Sequence, residues 1–284
     1  MPSCDFLLLD VFTDQPLAGN QLAVFPDAAG IPEAWLQPLA REINFSETVF
    51  VYPSGQDGSA RMRIFTPRAE LPFAGHPILG TAVALARPGM DEILLETGKG
   101  IVPVRLEGVG DGKAYGCMSQ PLPSVQPFGD HKALLAAIGV RSSQLPVEIY
   151  DNGVAHVYVA LDSREAVAGL EPDLTVIARQ FAGIGVNCFA GQGRHWKTRM
   201  FSPGLGVPED PATGSAAGPL GVHLARHGLI AYGEQLEISQ GVEIGRPSTL
   251  YARISGSAHR LERVEVGGWA LVVGSAEFTF AQTR

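Results

Sequence analysis

The chain is short of cysteine, of positive charge and of long apolar runs, and each shortage excludes a class of protein. Three cysteines, Cys4, Cys117 and Cys188, are odd in number and far apart. They show neither CxxC spacing nor a disulfide framework, so a reducing, cytoplasmic setting is expected. Lys and Arg number 21 against 29 Asp and Glu, a formal net charge of −8. That balance argues against nucleic acid or an anionic membrane surface as the main partner. The only apolar run near the start, in MPSCDFLLLDVF, is interrupted by Asp5 and Asp10 and follows no basic segment. Nothing approaches the roughly 20 apolar residues that span a bilayer. No GxSxG elbow and no P-loop occur, and Gly108 to Gly112 reads as a loop, not as GxGxxG. His223 and His227 have i, i+4 spacing but lack the Glu of HExxH, and no third ligand is evident. Cofactor-free chemistry, with no metal, is the expectation that remains.

What is present is a well-filled globular protein with many turns. Hydrophobic residues make up 45% and charged residues 18% of 284, with 34 glycines and 21 prolines. This composition suits two domains rich in short strands.

Two stretches, half a chain apart, copy one another. Arg63-Ile64-Phe65-Thr66-Pro67 matches Arg199-Met200-Phe201-Ser202-Pro203. After a longer insert in the second copy, Glu70, Pro72, Gly75, Val83, Leu85 and Ala86 meet Glu209, Pro211, Gly214, Val222, Leu224 and Ala225. A repeat of this size is a duplicated domain, not a solenoid period. The expected domains are 1–122 with 275–284, carrying Glu47 and His76, and 123–274, carrying Asp210. The proline-punctuated Gln120 to Asp130 is the linker candidate.

The pattern gives an α/β reading, each sheet wrapped around a central helix. Strands are expected at Phe6–Phe12, Ala23–Phe25, Thr48–Tyr52, Ala60–Phe65, Ile93–Glu96 and Ile101–Leu106. In the second half they fall at Glu148–Tyr150, His156–Leu161, Leu236–Ile238, Leu250–Ile254, Arg263–Val266, Ala270–Val273 and Glu277–Phe280. Pro32–Ile43 has helical spacing with Trp35, Leu39, Ala40 and Ile43 on one face. His131–Ile138 and Asp173–Phe181 are further helices. The run Ile78–Ala86 is apolar nearly all round, and such a helix belongs inside a domain. Ser215–Arg226 is read as the second central helix, ending in Arg226-His227-Gly228.

The candidate chemistry lies at the heads of these two helices. In Ala74-Gly75-His76-Pro77, Pro77 is read as the first helical residue, and Gly75 allows a ligand close to the backbone. Free N–H groups and the helix dipole favour a carboxylate there. Thr213-Gly214-Ser215 repeats the offer, so two similar domains facing one another across a cleft would form a small-anion site. Glu47, in NFSETVFV, shares a strand face with Phe45, Val49 and Val51. Either it pairs with an arginine such as Arg41, or it is a general base with a desolvated carboxyl. Asp210 is either a turn or cap residue or a reacting group, and its repeat partner, Leu71, makes the two halves chemically unequal.

NFSETVFV, RIFTPRAELPFAGHPILGTA and RMFSPGLGVPEDPATGSAAGPL resemble the signature segments of the PhzF (phenazine-biosynthesis) family, whose fold is related to diaminopimelate epimerase. The resemblance continues through EIYDNG, VNCFAGQGRHW and LEISQGVEIGRPS. It implies two pseudo-symmetric domains, each a mostly antiparallel barrel-like sheet around a central helix. It also implies a cofactor-independent homodimeric isomerase that shifts a proton in trans-2,3-dihydro-3-hydroxyanthranilate to give an amino-oxo-cyclohexene carboxylate. The catalytic positions it implies are Glu47, His76 and Asp210, with Ser46, Gly75, Gly214 and Ser215 contacting substrate. Ala74 and Thr213 stand where racemising relatives carry a cysteine pair, so two-thiol chemistry is not expected. Isomerisation of another small carboxylate, or binding without turnover, are the alternative readings.

Overall fold

The computed structural model describes residues 3–55 and 58–279, which form two compact units, Met1–Met118 with Gly268–Arg284, and Ser119–Gly267. The elements of the first part run β1 (Ser3–Val11), β2 (Asn20–Phe25), α1 (Glu33–Ile43), β3 (Glu47–Tyr52), β4 (Ala60–Phe65), β5 (Glu70–Leu71), α2 (Gly75–Leu85), β6 (Glu92–Thr97), β7 (Gly100–Gly110) and β8 (Lys113–Gln120). There follow β9 (Ser124–Pro127), α3 (His131–Ala137), β10 (Glu148–Asp151), β11 (Ala155–Ala160), α4 (Arg164–Ala168), α5 (Leu174–Gln180) and β12 (Gly185–Gln192). The chain closes with β13 (His195–Ser202), β14 (Val207–Asp210), α6 (Gly214–Arg226), β15 (Gln235–Gln240), β16 (Ser248–Ser257) and β17 (Arg260–Thr279). No helix among the described residues is long and apolar enough to cross a membrane.

Both units are wired alike. In the first, strands neighbour one another in the order β17-β1-β2-β3-β4-β6-β7-β8, and a β8–β17 pairing closes the ring. In the second the order is β9-β10-β11-β12-β13-β15-β16-β17. The parallel pairs fall at equivalent places: β2–β3 and β4–β6 in one unit, β11–β12 and β13–β15 in the other. The remaining ladders are antiparallel among those described, as expected of hairpin-connected strands. α2 is buried from Gly75 to Val83, and α6 from Gly214 to Ala225. A helix can lie so close to strands only where side chains are missing. A Cβ on Gly80 would come within 2.5 Å of Leu22, and one on Gly221 within 2.8 Å of Ile254.

Register bears on the duplicated segments directly. Ile64 pairs with Leu71 in the first unit, and Met200 pairs with Asp210 in the second. Leu71 and Asp210 therefore occupy the same ladder position, as the aligned repeats require. Each repeat arginine grips the repeat glutamate with two hydrogen bonds: Arg63 to Glu70 at 2.7 and 2.7 Å, Arg199 to Glu209 at 2.8 and 2.7 Å. Each guanidinium also lies over the repeat phenylalanine, Phe65 at 5.1 Å or Phe201 at 5.0 Å.

Several sequence expectations need correction. Arg263–Val266, Ala270–Val273 and Glu277 onward are not three strands but parts of β17, which runs through Gly267 and Gly268 without a break. Phe280 lies outside the described residues. The linker candidate contains β9, paired with β10 from Ser124 to Pro127. Residues 108–110 belong to the end of β7, so only Asp111 and Gly112, both at positive φ, make the turn. On α1 the buried residues are Leu36, Leu39 and Ala40, while Trp35 is 38% exposed. Pro77 is the third helical residue, not the first, because α2 begins at Gly75.

Candidate active site

Glu47 is the first residue of β3 and His76 the second of α2, and the topology of the first unit brings them together. His76 Nε2 lies 3.4 Å from Glu47 Oε2, with the two side chains 4% and 14% exposed. Glu47 shares its strand face with Val49 and Val51, but burial does not distinguish that face. Thr48 and Phe50, on the other face, are as buried as Val49 and Val51. Burial pushes the His76 pKa down to about 3, against an opposing backbone contact with Gln21, so the ring is neutral at pH 7. Its Nε2 is buried and makes no hydrogen bond within the described chain. The other ring nitrogen, Nδ1, is 3.3 Å from Asn20 Nδ2, and Ser46 Oγ donates to Asn20 Oδ1 at 3.0 Å. Ser46, Asn20, His76 and Glu47 thus form a continuous polar line at the head of α2. Ala74, the residue before that helix, offers no side-chain cap to its first N–H groups.

In the second unit, Asp210 ends β14 and is 6% exposed. Thr213 Oγ1 donates to its Oδ2 at 2.6 Å, a short charge-assisted bond. Gln240, at the end of β15, clamps the intervening loop. Its Nε2 donates to Asp210 O at 2.8 Å and Thr213 Oγ1 at 2.9 Å, while its Oε1 accepts from Thr213 N at 3.2 Å. Thr213 turns its hydroxyl to Asp210, so α6, like α2, begins without a side-chain cap. Pro219 has no N–H for the carbonyl of Ser215, and Asn152 Nδ2 fills that vacancy at 2.9 Å. Gln120 and Tyr158 likewise donate, each at 2.7 Å, to the carbonyls of Gly214 and Ala216. Three buried side chains from outside the helix therefore fix its first turn.

The family comparison settles what kind of chain this is. Residues 9–276 match the model of the phenazine biosynthesis-like protein family. The chain belongs to that family. Its relatives include the trans-2,3-dihydro-3-hydroxyanthranilate isomerase of Pseudomonas aeruginosa, 53% identical over 93% of this chain and 95% of the relative. Among solved structures, a PhzF-family phenazine biosynthesis protein from Bacillus anthracis is 25% identical with a TM-score of 0.87, covering 99% of this chain and 100% of that one. A hydroxyproline epimerase from Agrobacterium vitis, at 13% identity and a TM-score of 0.63, covers 97% of this chain and 92% of that chain, and shows the shared fold alone.

Within the first unit the structure unites Ser46, Glu47, Gly75 and His76; within the second it unites Asp210, Gly214 and Ser215. Sequence reasoning missed Asn20, Gln240, His156 and Asn187, all buried polar residues on strands or strand ends. It also missed a third group beside His223 and His227. Glu148 Oε2 accepts from His227 Nε2 at 3.1 Å and lies 3.2 Å from His223 Nδ1, so three possible metal ligands do converge. Arg226 Nη1 donates to the same carboxylate oxygen at 3.0 Å and stands 2.7 Å from Tyr150 Oη. With a guanidinium already in place, the cluster is built as a neutralised carboxylate and disfavours a cation.

Proposed function

We propose that the chain isomerises trans-2,3-dihydro-3-hydroxyanthranilate to the amino-oxo-cyclohexene carboxylate of phenazine biosynthesis, with Glu47, His76 and Asp210 as its catalytic residues. The observation that carries this reading is the Glu47–His76 pair, a carboxylate facing a buried neutral imidazole at the open head of α2. It is supported by 53% identity, over nearly the whole chain, to an isomerase of that name. In this reading Glu47 takes the hydrogen from the hydroxyl-bearing ring carbon. The electron pair left behind shifts through the ring diene toward the carboxylate-bearing carbon, and Glu47 returns the proton there. The resulting enol then becomes the ketone, so no atom is gained or lost. A neutral His76 suits hydrogen bonding to the substrate hydroxyl or amine without trapping the Glu47 proton. In each unit taken by itself, an uncapped helix N-terminus offers N–H groups and a dipole, set before the reaction begins, that suit a carboxylate. Gly75 and Gly214 keep that approach free of side chains, and Ala74 and Thr213 leave no thiol for a two-thiol mechanism. A homodimer in the cytoplasm belongs to the same reading.

The experiment is direct. Purified protein is mixed with trans-2,3-dihydro-3-hydroxyanthranilate, and loss of the diene absorbance is followed with mass-spectrometric detection of the isomer. Enzyme-dependent conversion at unchanged mass supports the proposal. Binding without conversion would favour a small-molecule-binding protein.

A further inference from the structure

Two buried side chains of the second unit, Asn187 and His156, stand in line behind the buried Ser215. Asn187 Nδ2, on β12, is 3.3 Å from His156 Nδ1, on β11, and His156 Nε2 is 3.0 Å from Ser215 Oγ. Their exposures are 1%, 2% and 6%, so bulk water does not compete for these bonds. The direction of each bond follows from the first. Asn187 Nδ2 also donates to the carbonyl of Gly185 at 3.4 Å, and turning the amide over would set two oxygens against each other. The two hydrogens of Nδ2 therefore go to Gly185 O and His156 Nδ1. A neutral imidazole accepts at one nitrogen and donates at the other, so its proton sits on Nε2 and points at Ser215. Burial holds this ring neutral, pushing its pKa down to about 4. Ser215 Oγ accepts from His156, and its own O–H is left to donate elsewhere.

A separate observation shows that the ring has a prepared place. A Cβ on Gly185 would lie 2.4 Å from His156 Nδ1 and 2.9 Å from its Cε1. Only glycine leaves room for the imidazole at that point of β12.

We propose that Asn187 and His156 are positioning residues that fill one lone pair of Ser215 Oγ and leave its O–H to donate to an acceptor oxygen of the ligand, such as a carboxylate. This rests on the reading that Ser215 contacts the substrate. In the first unit the residue after the helix-opening glycine is itself a histidine, His76, held by Asn20. The same position thus presents an imidazole in one unit and a histidine-directed hydroxyl in the other.

Nitrogen-15 NMR of His156 in the full chain at pH 7 tests the relay without reference to activity. We expect a protonated Nε2 and an unprotonated Nδ1; the opposite tautomer overturns the proposal. Binding is then compared for 2-aminobenzoate and 2-aminobenzamide. The acid should bind more tightly, and His156→Leu should weaken it about tenfold, the worth of one hydrogen bond to a charged group. His156→Gln, whose amide N–H can still donate, should restore most of that loss. In turnover the change should fall chiefly on KM. No effect of His156→Leu on binding of the acid, or a loss just as large for aniline, which has no acceptor oxygen, overturns the proposal. Should His156→Leu fail to fold, Asn187→Leu, which frees the tautomer, carries the same comparison. If the tautomer and the 2-aminobenzoate results hold while the diene assay shows no conversion, the isomerase reading falls and the relay stands.

Discussion

His76, His156 and His223 share one electrostatic fate: burial lowers their pKa values to about 3, 4 and 4 from an ordinary value near 6.5. Each is neutral in the folded protein where the unfolded chain would already be protonated. The unfolded state then binds more protons, so stability falls as pH drops from about 6.5 toward 4. The urea midpoint should fall between pH 7 and pH 5, and a midpoint that rises over that range would contradict these assignments. The NMR signals of His76 should show no titration between pH 5 and pH 8. For the same reason any pH dependence of turnover above pH 5 should survive in His76→Asn. The residue scale is also where the sequence was least informative. Glu47 and His76 were legible, because both lie in segments with a recognisable family pattern. Asn20, His156, Asn187 and Gln240 were not, since a polar residue in a strand gives no sign of which helix its neighbours will bring to it. Glu148 was hidden from His223 and His227 in the same way, by sequence distance.

Elements show how one repeated motif can carry different loads. Arg199 and Glu209 are 9% and 10% exposed, and Arg199 Nη1 also donates to the carbonyls of Ala168 and Leu170 at 3.1 and 2.7 Å. Glu209→Ala would leave a buried guanidinium without its carboxylate and should cost about 3–5 kcal/mol. The equivalent pair in the first unit is more open, 24% and 43% exposed, and Arg63 keeps Glu33 as a second partner at 2.6 Å. Glu70→Ala should therefore cost about 0–1 kcal/mol. Urea denaturation of both variants checks the ordering; equal losses would mean that burial is not what separates the two pairs. At this scale much was legible. The aligned repeats matched Arg63 with Arg199, Glu70 with Glu209 and Leu71 with Asp210, and the ladders keep that register. That each arginine grips its own unit's glutamate was not legible in the repeats. The course of β17 was not legible, because Gly267-Gly268 and Gly274 read as turn signals. Strand pairing, with Tyr251 opposite Gly267 and Leu8 opposite Gly274, holds these two glycines in the ladder.

For the whole molecule, duplication supplies two capless helix heads and divergence supplies two different sets of groups around them. One unit carries Glu47 against His76; the other carries Asp210 held by Thr213, and Ser215 held by His156. If Glu47 alone removes and returns the hydrogen, the other groups orient and polarise the substrate. Asp210→Asn should then retain carboxylate binding better than turnover, which paired binding and rate measurements resolve; equal loss of both would make Asp210 a binding residue. The central claim rests on one carboxyl oxygen facing His76, and Glu47→Gln tests it most directly. The amide has the same shape but cannot accept the proton. Circular dichroism, the urea midpoint and binding of 2-aminobenzoate should stay near those of the parent, while conversion of trans-2,3-dihydro-3-hydroxyanthranilate falls by about 10²–10⁴-fold. A folded Glu47→Gln protein that turns over at a near-parental rate would contradict the account.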